Sequence, residues 1–180
     1  SLHSLYALHS FRKYKAPRHR IRMNTDSERL KWWAVELLQA GKYKAATLLA
    51  LHCYQQSFST CKTEELLESV LLLGKCLVRQ DMHQQAFQCM KDAEEYVKDV
   101  ELDTRITGDA LWAIGELYYG LGHVSEAKTS FLKHAGILEN LYGPDHIRCS
   151  DVYTILSDIE ARVGKFEAAL THASRALRIR

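Results

Sequence analysis

Proline is almost missing from this 180-residue chain, at two residues, and glycine stops at nine. That scarcity excludes collagen-like and linker-rich sequence and most turn-dense all-β folds. No apolar run approaches the roughly 20 residues that a membrane-crossing helix needs. No C-x-x-C pair occurs, so the tight thiolate pair of a structural zinc site is lacking. The cysteines Cys53, Cys61, Cys76, Cys89 and Cys149 are odd in number, and no secretory signal opens the chain. A disulfide framework is therefore not expected, and a reducing, cytoplasmic compartment is. Cys53, Cys76 and Cys89 fall on predicted packing faces, where a free cysteine acts as a small hydrophobe.

Acidic residues are absent from positions 1–23, which carry Arg12, Lys13, Lys15, Arg18, Arg20 and Arg22. The rest of the chain holds 18 basic and 22 acidic side chains. The whole balance is only +2, too small to point to nucleic acid as a partner. A basic tail on a mildly acidic body is an asymmetry that can dock to a partner.

Catalytic signatures are missing as well: no G-x-S-x-G, no Walker loop, no H-E-x-x-H and no G-x-G-x-x-G. The carboxylate pairs Glu64-Glu65 and Glu94-Glu95 are adjacent on predicted helices, so their members point apart and cannot straddle a substrate. The nine histidines are scattered along the chain. His134 is read as a packed histidine with its ring N–H satisfied, and His83 and His123, beside turns, as solvated. A non-catalytic protein without cofactor or metal is the expectation.

What is present is a repeat. Gly41-Lys-Tyr-Lys-Ala-Ala46, Gly122-His-Val-Ser-Glu-Ala127 and Gly164-Lys-Phe-Glu-Ala-Ala169 share one spacing, and Asp81-Met-His-Gln-Gln-Ala86 has Asp in place of Gly. Each alanine also follows a small residue by twelve positions: Ala34, Gly74, Gly115 and Ser157. The alanines recur after 40, 41 and 42 residues. Apolar positions before each turn (Leu30, Trp33, Leu37; Val70, Leu73, Leu77; Leu111, Ile114, Tyr118; Tyr153, Leu156) follow the 3.6-residue helical period, as do those after it. Each copy is therefore a pair of helices, and the small residues let the two approach closely where they cross.

The spacing predicts helices over 27–40, 43–58, 63–80, 83–99, 104–121, 124–141, 146–163 and 166–179, with no strand. Thr25-Asp-Ser-Glu28 reads as a capping box, Thr63 with Glu64 and Glu65 as a helix start, and Asp81 as an N-cap with Gln84 three residues on. Gly143-Pro144-Asp145 reads as a stop followed by a Pro in the next helix's first turn. Leu5, Ala7, Leu8 and Phe11, closed by Pro17, read as the second helix of an earlier repeat. The domains are then a basic N-terminal helix or extension over 1–25 and a repeat array over 26–180, with repeats near 27–62, 63–102, 103–143 and 144–180. Because the sequence opens on Ser1 and closes at the end of a second helix, a segment of a longer protein is the expectation.

These residues resemble the tetratricopeptide repeat, best in the third copy with Leu111, Ile114-Gly115, Tyr118, Ala127 and Phe131. In the fourth, Glu160 stands where an aromatic is usual. The period near 42 and the segment Leu138-Glu-Asn-Leu-Tyr-Gly-Pro-Asp-His146 are similar to the long repeats of kinesin light chains and related scaffold proteins. The resemblance implies an all-α, right-handed solenoid of about four repeats plus an N-terminal helix, its first helices lining a concave groove. It implies a scaffold or adaptor that binds a protein or peptide within a larger intracellular complex, with no nucleic acid and no membrane. An alternative is a structural part of a cytoskeletal or ciliary assembly, held by the convex face and the basic tail. A regulatory segment of a longer protein is a further one.

Counting helically from the buried positions places Lys31, Val35 and Gln39, then Leu71, Lys75 and Arg79, then Trp112, Glu116 and Tyr119, then Thr154, Asp158 and Arg162 on the groove. Lys31, Leu71, Lys75, Arg79, Trp112, Glu116, Tyr119 and Asp158 are the candidate binding residues. Trp112, Tyr119 and Leu71 would anchor apolar groups of a ligand, and Lys31, Lys75 and Arg79 its flanking acids. Trp33 is assigned to the repeat core, and Trp32 to packing on whatever precedes it.

Overall fold

The structure is a computed structural model that describes residues 26–60, 63–99 and 104–180. Among them are eight α-helices and no strand: α1 (Asp26–Gln39), α2 (Tyr43–Thr60), α3 (Thr63–Val78), α4 (His83–Asp99), α5 (Thr104–Gly120), α6 (Val124–Tyr142), α7 (Ile147–Arg162) and α8 (Phe166–Ile179). The predicted boundaries agree with these to within two residues. The expected half repeat at Leu5–Phe11, the basic tail and Cys61 lie outside the described residues, as does the Thr25 half of the first capping box.

The helices pair in order, α1 with α2, α3 with α4, α5 with α6 and α7 with α8. The second helix of each pair then packs on the first helix of the next. The first helices α1, α3 and α5 also lie side by side, whereas α2, α4 and α6 do not form such a row. The layer whose members touch is the inside of a bend, so the first helices line the inner face of an α-solenoid.

Small residues set the crossings. Ala34, Ala46, Ala86 and Ala127 are completely buried. A Cβ on Gly115 would sit 2.9 Å from the Phe131 ring, and one on Gly74 2.3 Å from Met90 Cε. The helices therefore meet at distances only small side chains allow, with Phe131 and Met90 filling the space above. In the fourth pair Ser157 takes the small position, and its hydroxyl donates to the Ala169 carbonyl at 2.9 Å. Cys53, Cys76 and Cys149 are buried and Cys89 half-buried, all as free thiols. Burial pushes the Cys76 and Cys89 thiols up to about 11, so neither is a ready nucleophile.

Two local expectations are overturned and a third holds only in part. Asp81 is not a helix cap: it holds a left-handed φ of +58° and takes the turn position filled by Gly41, Gly122 and Gly164 at +73°, +80° and +79°. Pro144 lies in the turn between helices, not in the first turn of α7. That helix opens at His146, whose Nδ1 accepts from the Arg148 backbone N–H at 3.3 Å. His123 is solvated in part, its side chain 42% exposed, while its ring packs on Phe87 with centroids 4.4 Å apart.

Candidate protein-binding surface

The outward-turned residues of the first helices fall into two rows. Lys31, Leu71, Trp112 and Thr154 each lie fifteen positions before the repeat alanine; Val35, Lys75, Glu116 and Asp158 each lie eleven before it. Four residues is about one helical turn, so the two rows share one face. Because α1, α3 and α5 are neighbours, that face is continuous across the first three pairs.

The structure sorts these residues into three kinds. Some are committed to each other. Lys31 Nζ meets Glu68 Oε2 at 2.7 Å, tying α1 to α3. Tyr119 donates its hydroxyl to the Asp158 carboxylate, tying α5 to α7. Arg162 closes that group, with Nε 3.1 Å from Asp158 Oδ2 and its guanidinium 4.9 Å from the Tyr119 ring centroid. Burial and the Asp158 bond push the Tyr119 hydroxyl above its ordinary 10.

Others are partly used in packing. Leu71 and Trp112 are half-buried against the main core. The Trp112 ring sits edge-on to Phe131 at 5.4 Å and tilted over His134 at 5.5 Å, within its own helix pair. Its free edge is all a ligand can meet. His134 is buried as expected, its ring beside the Gly108 backbone. Burial pushes the imidazole below 6.5, countered in part by the Gly108 backbone and Asp109.

The third kind is open. Lys75, Arg79 and Glu116 are exposed, and Lys75 and Arg79 form no ion pair with any described residue. Val35 is 37% exposed and Gln39 lies open beside it. The free chemistry at the centre of the face is thus two cations one turn apart on α3, continuing the line of Leu71, with the open carboxylate of Glu116 on α5. Nothing in the residue pattern announced Glu68, whose match to Lys31 spans 37 positions.

No described helix is long and apolar enough to cross a membrane. Among the described residues no group of three or more His, Cys, Asp or Glu could hold a metal ion. Three clefts among the described residues lie away from the groove face. One of about 680 Å³ runs between the start of α6 and the end of α7, beside Lys128, Glu160 and Val163.

Residues 106–180, the third and fourth pairs, match the family profile described as tetratricopeptide repeat. Those two pairs are tetratricopeptide repeats. The first two pairs have the same helix order, turn positions and buried alanines. No curated protein sequence matches the chain. Among solved structures, the Rap protein complexed with competence and sporulation factor is similar at TM-score 0.69 and 16% identity, covering 87% of this chain and 44% of that one. BtubC (BKLC) from P. vanneervenii is similar at TM-score 0.55 and 14% identity, covering 87% of this chain and 57% of that one. The chain therefore spans about half the length of these solved proteins, and at such identities they share its fold.

Proposed function

We propose that this tetratricopeptide-repeat array is a non-catalytic scaffold that binds an acidic, partly apolar segment of another protein along the face of its first helices. The observation that carries the reading is the unpaired Lys75 and Arg79 beside the half-open Leu71. Lys31 and Arg162 are neutralised in place, by Glu68 and Asp158, which leaves two open cations against the one open acid, Glu116 on α5. The unmatched charge at the centre therefore favours a carboxylate, held by two donors a turn apart. Leu71 and the free edge of Trp112 offer apolar contact on either side. The similar Rap fold, solved in complex with competence and sporulation factor, supports a binding role for a solenoid of this kind.

A random peptide library panned on the 180-residue chain tests this. Enriched peptides should carry acidic residues next to a large apolar one. Lys75→Glu with Arg79→Glu should weaken such a peptide at least about tenfold by titration calorimetry, the loss expected when charged partners become like charges. Both sites are exposed, so thermal unfolding should not change. Equal binding by the double variant would reject this face. Trp112→Ala is a poorer probe, because it also strips the packing on Phe131 and His134.

A further inference from the structure

Matched by position, two successive joints of the array are built from different chemistry. At the second joint, between the second and third pairs, Phe87 follows the repeat alanine, and Tyr118 and His123 stand nine and four positions before the next one. Their rings pack together, with centroids 5.7 Å apart for Phe87 and Tyr118, 4.4 Å for Phe87 and His123 and 6.3 Å for Tyr118 and His123. The same three positions at the third joint hold Lys128, Glu160 and Lys165. None of them carries a ring, and the cleft of about 680 Å³ lies here. Leu132, Ile159 and Val163 line it, with Leu132 42% and Val163 52% exposed. His123 joins the two places: its ring packs on Phe87, and its exposed part lines the cleft. Both walls of the cleft, α6 and the end of α7, lie within the array. At the second joint, α4 packs on neither α7 nor α8, so a pair stacked one place further on does not reach such a joint.

We infer that the cleft at the third joint seats an aromatic side chain of a partner protein, with a carboxylate next to it in the partner's sequence. The ring takes the room that the chain's own rings fill at the second joint. It covers Leu132 and Val163, whose removal from water favours an apolar occupant. It also extends the row of Phe87 and His123, and rings pack on rings with a gain beyond the area they bury. Charge decides the neighbour. Lys128 is committed to Glu160, and Glu126 to Ser125 and His123. Lys165, at the rim, forms no ion pair with any described residue. The rim therefore carries one unmatched positive charge, which a carboxylate beside the ring completes. A basic neighbour would meet Lys165 and Lys128 as like charges. The contact is separate from the face of Lys75 and Arg79, so it stands or falls independently of what that face binds.

Methyl NMR of the full 180-residue chain, titrated with the capped peptide Ser-Trp-Asp-Ser, tests the proposal. The Leu132 and Val163 methyls should move, with a dissociation constant of about 1 mM or tighter, as suits one anchor and one charge. The same peptide with Leu for Trp, or with Lys for Asp, should bind at least about fivefold more weakly. Val163→Glu and Lys165→Glu should each weaken the parent peptide by at least about fivefold. Both sites are exposed, so circular dichroism should not change. Lys165→Glu should in turn reverse the preference and favour the lysine peptide. Methyls of Leu132 and Val163 that stay still would overturn the proposal, as would equal binding of the three peptides. Shifts confined to Leu71 would put the peptide on the first-helix face and overturn it too. Free indole-3-acetate binding as tightly as the peptide would give the cleft to a small aromatic acid and overturn its assignment to a partner chain.

Discussion

Glu160 carries a charge into a place where the repeat usually has an aromatic. It is 2% exposed, and its partner Lys128 reaches it from α6 with about a third of its own side chain in water. The lysine bond holds the carboxyl below its ordinary range despite the burial. A buried ion pair gains little over well-packed apolar residues, but half of one is costly. Lys128→Met should therefore destabilise the chain by about 2–3 kcal/mol, measured by urea unfolding at pH 7. Adding Glu160→Leu should recover most of that loss. A lysine variant as stable as the parent would mean that water already reaches the carboxylate. Glu160 stood out in the sequence as a departure from the repeat. Lys128 did not, because a side-chain match 32 positions away leaves no local mark. The same holds for Lys31 with Glu68 and for His123 on Phe87. The candidate site was thus legible as a face, from helical counting, but not as a set of partners.

The helix pair is the scale at which the sequence reads most plainly. Burial at 3.6-residue intervals is a local demand, and so is the small residue where two helices touch. Ala46, Ala86 and Ala127 were recognisable for that reason, and all three are completely buried. Turn geometry was less legible. Asp81 fits both a cap and the glycine's place in the repeat turn by residue type, and its backbone, at φ +58°, decides for the turn. Pro144 likewise fits a first helical turn by type, yet His146 takes the cap. The crossings themselves distinguish two glycines. A methyl at Gly115 meets the rigid Phe131 ring at 2.9 to 3.1 Å, and one at Gly74 meets the mobile tip of Met90. Gly115→Ala should cost about 1–3 kcal/mol by overpacking. Gly74→Ala should fall within about 1 kcal/mol of the parent, because Met90 can swing away and alanine gains helix propensity. Chemical denaturation of both variants separates them. An equal loss at the two sites would mean that α3 and α4 cannot give way around Met90.

Across the whole array, each pair touches only its neighbours, so stability is a sum of pair and interface contributions. The interface between the third and fourth pairs is built differently from the earlier ones. The inner row of α1, α3 and α5 does not extend to α7 as a packed contact. Side chains bridge instead, and Glu139 on α6 is the hub. Its carboxylate accepts from the Tyr153 hydroxyl on α7 and lies 2.5 Å from Arg175 Nη2 on α8. Arg175 in turn stacks over the Tyr153 ring at 4.3 Å, and burial with the Glu139 bond pushes the Tyr153 hydroxyl up to about 12. Removing Glu139 leaves Arg175 and Tyr153 without their common acceptor while the core of each pair stays intact. Glu139→Ala should therefore loosen the fourth pair selectively. In native-state hydrogen exchange, amides of α7 and α8 should exchange at least about tenfold faster, with those of α1 to α4 unchanged, as expected when one interface of a linear array weakens. A uniform rise in exchange along the chain would instead show that the four pairs open as one cooperative unit. The bridge would then be one contact among many.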